Sequence, residues 1–399
     1  MMKKKQLMKK EDLIKLSEYV VNREKKESGF RKSIISMYEY NAKWSNIFFR
    51  FIVHIISYFL RPSAKSKKFI FWGTKFEELI LSLPSEETCI VGGPKQLFFC
   101  LKHRRAFLPE MSLWHSLVVE IKGGLDSNNR KKVSSSIYSL SRSLRRITNK
   151  NTVLLVDNDS LPVQRAVIQA FRILDVGASI CIQHGIFQRH SPGCILDGWF
   201  CDRFFVIDDN QKRLLIEKGM QAKKITVMGF YSTPYQPKRI LSSPEHRKVC
   251  LIGQPWHKYG EEKGERYLKI FKEVTDILQG YGYSVSFKPH PWERSSSYLN
   301  NISGVENDSM KNVLEKYDVF ISLTSTALLE AVASGRVAIQ VVDPIFDADS
   351  FCDFSEVHSV SSESHDLSKS LLKYVKTEPA PMNSKIKPLA QRFYEALSG

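Results

Sequence analysis

The chain has 399 residues, more than one ordinary domain of about 100–200 residues requires, and two domains are expected. A composition of 43% hydrophobic, 11% aromatic and 25% charged residues excludes wholesale disorder and collagen-like or low-complexity architectures. The net charge of +17 is uneven, with 17 Lys/Arg against 6 Asp/Glu in residues 1–68 and 42 against 36 in residues 69–399. The excess is thus a lysine-rich N-terminal property without RNA-binding aromatic motifs, and no nucleic-acid partner is expected. Seven cysteines stand without a CxxC pair or a Cys/His cluster and read as reduced core thiols, so neither a disulfide framework nor a structural zinc site is expected.

Residues 1–66 form a basic and apolar helical segment. The start MMKKKQLMKK runs on into further charged residues, so no secretory signal core follows it. The 17-residue run Trp44–Leu60 is apolar and aromatic but carries Arg50 and His54. A central Arg adds roughly 2.5–3.5 kcal/mol to insertion, which disfavours spanning. Two readings stay open: a helix lying in the membrane interface between basic flanks, or a helix packed on the next domain.

Residues 67–232 read as an α/β domain. KKFIFWG and Thr88–Pro94 are strand-like, and Ser134–Lys150 is polar. From Thr152 the pattern is clearer: strand TVLLVDND, helix LPVQRAVIQAFRILD, a turn at Gly177 and strand ASICIQHG. A β–α–β crossover puts functional residues at the carboxyl ends of parallel strands, so Asp157, Asp159 and His184 share one sheet edge. RFFVIDD, NQKRLLIEKGM and KKITVMGF continue as strand, helix and strand. Residues 233–247, rich in Pro and Ser, read as the linker. Residues 248–345 alternate again: strand KVCLIGQP, a long helix, strand SVSFKPHP, helix MKNVLEKYD, strand VFISLTS, helix TALLEAVASG and strand VAIQVVD. Residues 346–399 are expected to pack back as a helical tail. The fold class is α/β, with two Rossmann-like doubly wound domains.

Five motifs sit at strand ends. Ser322, Thr324, Ser325 and Thr326 cluster where a strand runs into a helix, more hydroxyls than one N-cap needs and suited to a phosphate. Glu330 follows on the same helical face, placed to accept from ribose hydroxyls. Lys288 and His290 lie in KPHP, where flanking prolines stiffen the loop, and both can neutralise a departing phosphate. Gln183-His184-Gly185 offers a neutral imidazole as general base, with His190 a weaker competitor. Asp157-Asn158-Asp159 is a DxD pattern, but with phosphate-binding residues already present no metal or other cofactor is expected, and Asp157 is an alternative base or an orienter of His184. Gly253 and Gln254 follow a strand where a glycine permits close backbone approach to a ligand. The absence of GxGxxG and GxxxxGK[ST] counts against dinucleotide oxidoreductases and P-loop ATPases.

QHG, VMGFY, IGQP, KPHP and LTSTALLEAVASG, spread over about Asn151–Val342, together resemble the GT-B bacterial surface-polysaccharide glycosyltransferases. IGQP, KPHP and the Ser/Thr cluster resemble, more narrowly, the sialyltransferase and polysialyltransferase group with CMP-nonulosonate donors. That resemblance implies a GT-B-like fold with a cleft between the domains, donor phosphate on His290, Ser325 and Thr326, and metal-independent, inverting transfer to a glycan acceptor; the N-terminal apolar segment would hold the enzyme at the cytoplasmic face of the inner membrane, where lipid-linked glycan acceptors sit. The group carries its base in an acidic-acidic-Gly motif, for which this chain has DND or QHG. The His-Gly pair is more similar to transferases using CDP-glycerol or CDP-ribitol, and Kdo transferases are a third relative. A sugar-nucleotide epimerase on the same fold is the alternative in another enzyme class.

Overall fold

The computed structural model describes residues 53, 55–56, 58–60, 66–110, 112–123, 127–159, 161–187, 200–232, 235–294, 296–302, 304–346, 351, 354, 356–379 and 387–399. Most of the N-terminal basic segment, His190, Cys194 and Cys352 lie outside them. The described residues fall into two compact units, one within 1–184, 192–233 and 387–399, the other within 185–191 and 234–386.

In the first unit, β1 (Phe69–Trp72), α1 (Glu77–Ser82), β2 (Thr88–Gly92), α2 (Pro94–His103), β3 (Ala106–Pro109), α3 (Ser112–Gly123) and α4 (Ser127–Leu144) precede β4 (Val153–Val156). After β4 come α5 (Pro162–Arg172), β5 (Ala178–Ile182), β6 (Arg203–Val206), α6 (Asp209–Glu217) and β7 (Ile225–Val227). The strand order is β3-β2-β1-β4-β5-β6-β7 and every pairing is parallel. FIFW and VLLV are buried at every position, the near-continuous apolar run expected of a strand covered on both faces. Gly177 makes the turn into β5 with φ +60, and a Cβ there would lie 1.7 Å from the Thr152 carbonyl oxygen, so only glycine fits. The winding reverses between β1 and β4, which makes their carboxyl ends the topological switch point.

In the second unit, β8 (Lys248–Ile252), α7 (Glu261–Gly280), β9 (Ser284–Lys288), α8 (Met310–Lys316) and β10 (Val319–Ser322) alternate. α9 (Ala327–Ala333), β11 (Val337–Val342), β12 (Val357–Ser361) and α10 (Leu367–Val375) complete it. The parallel order β12-β11-β10-β8-β9 puts its switch point between β8 and β10. Its sheet therefore extends past residue 345 into β12, a strand whose sequence VHSVS carries only a weak apolar alternation.

The chain then returns to the first unit as α11 (Leu389–Ser398). Leu389, Phe393 and Ala396 enter the first core, with Phe393 edge-on to Phe69 and Phe205. Arg392 donates to the carbonyls of Met228, Phe230 and Ser232, and Arg203 to those of Ala396 and Leu397. Val53, Ile56 and Leu60 also pack on this core, and the Phe107 N–H donates to the Leu60 carbonyl at 2.9 Å. Among the described residues no helix is long and apolar enough to cross a membrane.

Candidate functional site

The two switch points hold most of the residues singled out above. In the second unit one hydrogen-bond network joins Gln254, Thr324 and the His290 loop. The Gln254 side-chain oxygen, after β8, accepts from the Thr324 N–H at 3.0 Å and the Thr324 hydroxyl at 2.6 Å, after β10. Trp256 Nε1 donates to the same oxygen. The Gln254 N–H donates to the Tyr267 hydroxyl at 3.0 Å, and that hydroxyl donates to Glu293 Oε1 at 2.9 Å. Glu293 Oε2 in turn accepts the His290 backbone N–H at 2.6 Å, and the Tyr298 hydroxyl donates to Oε1. Three loops, after β8, β9 and β10, are thus tied through a carboxylate with no exposed surface. Burial, then the Glu293 charge, pushes Tyr267 well above the ordinary tyrosine range, so its proton stays on the oxygen.

Further polar groups stand beside this network. His290 Nδ1 accepts the Trp292 N–H at 3.2 Å, which puts the ring proton of a neutral imidazole on Nε2. The Gln254 carboxamide spends only its oxygen, and neither its NH2 nor the backbone N–H of Ser325 or Thr326 has an acceptor among the described residues. Glu330 stands half-buried in the first turn of α9. Trp292, 43% exposed, lies edge-on beside His290.

Several expectations change here. At Gly253 a Cβ would meet Glu293 Oε2 at 2.4 Å and Phe287 Cζ at 2.8 Å, so internal packing by itself requires the glycine. Lys288 does not join His290, because its ammonium donates to the Asp308 carbonyl beside Glu306, and burial lowers its pKa. Ser322 is a strut, its hydroxyl donating to the Ile252 carbonyl at 2.8 Å. Glu293, Tyr267, Tyr298 and Trp292 went unnoticed in the sequence. Glu293 had one local signal, its place three residues after His290 in HPWE, the spacing at which a side chain reaches back to a backbone N–H.

In the first unit, His184 follows β5 and its Nδ1–H donates to the Asp157 carbonyl, after β4, at 2.5 Å. A carbonyl only accepts, so the neutral ring keeps its lone pair on Nε2. Burial lowers the His184 pKa, the Asp157 carboxylate opposes that, and the Lys75 ammonium after β1 lowers it further. Asp157 Oδ1 accepts from Gln164 at 3.2 Å. Asp159 is separate: buried, it accepts the N–H groups of Phe200 and Cys201, and burial raises its pKa. The DxD carboxylates thus have different tasks, and among the described residues no three His, Cys, Asp or Glu side chains gather as metal ligands. Gln183 bridges the Ile207 N–H and Gln211, which accounts for the glutamine of QHG. The five described cysteines are buried thiols and none of them is in a disulfide.

Two Rossmann-like α/β units with parallel sheets, each reversing its winding at a switch point, make this a GT-B-like fold. No protein-family model and no curated protein matches the chain. Solved structures do. The UDP-GlcNAc 2-epimerase of Methanocaldococcus jannaschii, in complex with UDP-GlcNAc and UDP, is similar over 84% of this chain and 99% of its own, with TM-score 0.55 and 13% identity. The UDP-GlcNAc 2-epimerase of Neisseria meningitidis bound to UDP-GlcNAc covers 84% and 99%, with TM-score 0.53 and 12% identity. Anabaena Alr3699/HepE in complex with UDP and glucose covers 84% and 100%, with TM-score 0.51 and 10% identity. The likeness is one of fold. It lends no support to a CMP-nonulosonate donor.

Proposed function

We propose that the protein is an enzyme acting on a nucleotide-linked sugar, with a UDP-sugar as ligand and epimerisation of a ring carbon as reaction. The observation that carries this is the network through Gln254, Tyr267 and Glu293, which ties the loops after β8, β9 and β10 together, with the Gln254 NH2 and the Ser325 and Thr326 N–H groups beside it lacking an acceptor among the described residues. In this reading the diphosphate takes hydrogen bonds from His290 Nε2, the Gln254 NH2 and the N–H groups of Ser325 and Thr326, each charge-assisted bond contributing roughly 1.5–3 kcal/mol. Glu330 accepts from the ribose hydroxyls and Trp292 offers a face to the base. Epimerisation removes a proton from one face of a carbon and returns one to the other, so it needs two proton carriers; His184 and Asp157, on neighbouring strand ends, fill those roles. The fold neighbours with UDP-GlcNAc bound support the choice of nucleotide.

Glycosyl transfer is the second reading, favoured by the His184 tautomer, whose basic Nε2 suits deprotonation of an acceptor hydroxyl. A partner surface goes with it. Ile55, Tyr58 and Phe59 are 47%, 64% and 81% exposed, spaced as one helical stripe, in a region of strongly positive charge, which suits docking on an anionic membrane that presents a lipid-linked glycan acceptor.

Proton NMR of the protein with UDP-GlcNAc in D2O, without an acceptor, separates the two reactions. An epimerase produces a second UDP-sugar labelled with deuterium at the inverted carbon, whereas a transferase yields none until an acceptor is added. If thermal shifts with CMP, CDP, UDP, GDP and ADP all stay at zero, both readings fail.

A further inference from the structure

Behind the His290 loop, one stripe of α7 faces β9, the edge strand of the second sheet, and the turn at Ser297–Asn301 closes over them. Between these elements lies a pocket of about 390 Å³, within the ~300–1,000 Å³ range of small-molecule sites. Leu268, Phe271, Val285, Phe287 and Ile302 supply its apolar walls. Of its hydroxyls, Thr275 donates to the Phe271 carbonyl and Tyr298 to Glu293. At the rim Lys272 pairs with Asp276, so the mouth carries no net charge. Ser286 and the exposed Gln279 carboxamide are its other polar groups, neither of them charged, so an ion moved against the apolar walls would lack a counter-charge.

Two walls also belong to the network at the strand ends. Tyr298 donates to Glu293, which holds the His290 N–H, and Phe287 abuts Gly253. A molecule that shifts either ring shifts the carboxylate on which the three loops converge.

We propose that this pocket binds a small, neutral, apolar molecule, of the size of one or two fused rings, and that its occupancy is felt at the His290 loop through Tyr298 and Glu293. The second half rests on the nucleotide reading above; the first does not. The test uses the full chain with indole as neutral probe, indole-3-acetate as its anionic counterpart and UDP, each titrated by calorimetry. Indole should bind saturably at one site, about tenfold or more tighter than indole-3-acetate. Val285→Trp and, from the opposite wall, Ile302→Trp should each weaken indole about tenfold while keeping the wild-type melting transition. Saturating indole should change the UDP Kd about threefold or more in the wild type and leave it unchanged in Tyr298→Phe. Non-saturable indole binding, or wild-type affinity in both folded Trp variants, overturns the site. An unchanged UDP Kd overturns the coupling. Failure of UDP to bind while indole still does sinks the nucleotide reading and leaves the pocket standing.

Discussion

The carboxyl edge of the second unit and that of the first are built differently. In the second, side chains bond to side chains and loops, and Glu293 anchors a frame that holds its donors still before any ligand arrives. In the first, His184 is held by a single bond to a backbone carbonyl, and its other nitrogen keeps a lone pair. A stiff ring of donors suits a fixed anion, because no reorganisation is needed on binding. A histidine kept neutral by burial and the nearby Lys75 suits proton transfer. Under the proposed function, the contrast divides recognition from chemistry by the kind of atom that braces each strand end.

If that division is right, variants should separate into two kinds. The largest effect belongs to His184→Gln, expected to lower kcat about 10²–10⁴-fold with the UDP Kd nearly unchanged. Equal losses in both would break the contrast. The same residue sets a pH limb. A histidine whose folded pKa is depressed is active when neutral, so activity should fall with acid at a midpoint below the ordinary value of about 6.5. Stability follows the same sign: between the two pKa values the unfolded chain binds a proton that the folded one refuses, so stability drops as pH falls below about 6.5 and levels off below the folded pKa. His184→Gln should remove that share of the slope in urea titrations run across pH.

Next is Glu293→Leu, which strips a buried acceptor from two hydroxyls and one N–H; about 3 kcal/mol of unfolding free energy should be lost in urea, together with UDP binding. His290→Ala should leave the melting transition in place and raise the UDP Kd about ten- to a hundredfold. Lys288→Met should be smallest, under about twofold in UDP affinity, since its ammonium is used by the Asp308 carbonyl. A large loss there would return Lys288 to the phosphate.

Much of the alternation was legible because each strand of a parallel sheet is a short apolar run and each crossover an amphipathic one. VLLV, KVCLI and VFIS announce themselves, and so do the prolines around His290 and the glycine at 177. β12 was not legible, because an edge strand half open to solvent needs few apolar residues. Nor was the return of α11 to the first core, since an apolar stripe such as Leu389, Phe393 and Ala396 shows that a helix is buried without showing against what.

By itself the amino-acid order determined the layered α/β class and the strand ends at which His184, Asp157, His290 and the Ser/Thr cluster stand. Those follow from local periodicity and from the rule that parallel crossovers collect polar residues at one edge. Which of those polar groups face outward was decided only in three dimensions. Gly253 and Ser322 turned inward and Lys288 turned aside, while Glu293 and Tyr267, from separate elements, became the frame. The physical reason is that a buried donor or acceptor must find its partner wherever the fold brings one, and in this network a partner lies up to 70 residues away along the chain.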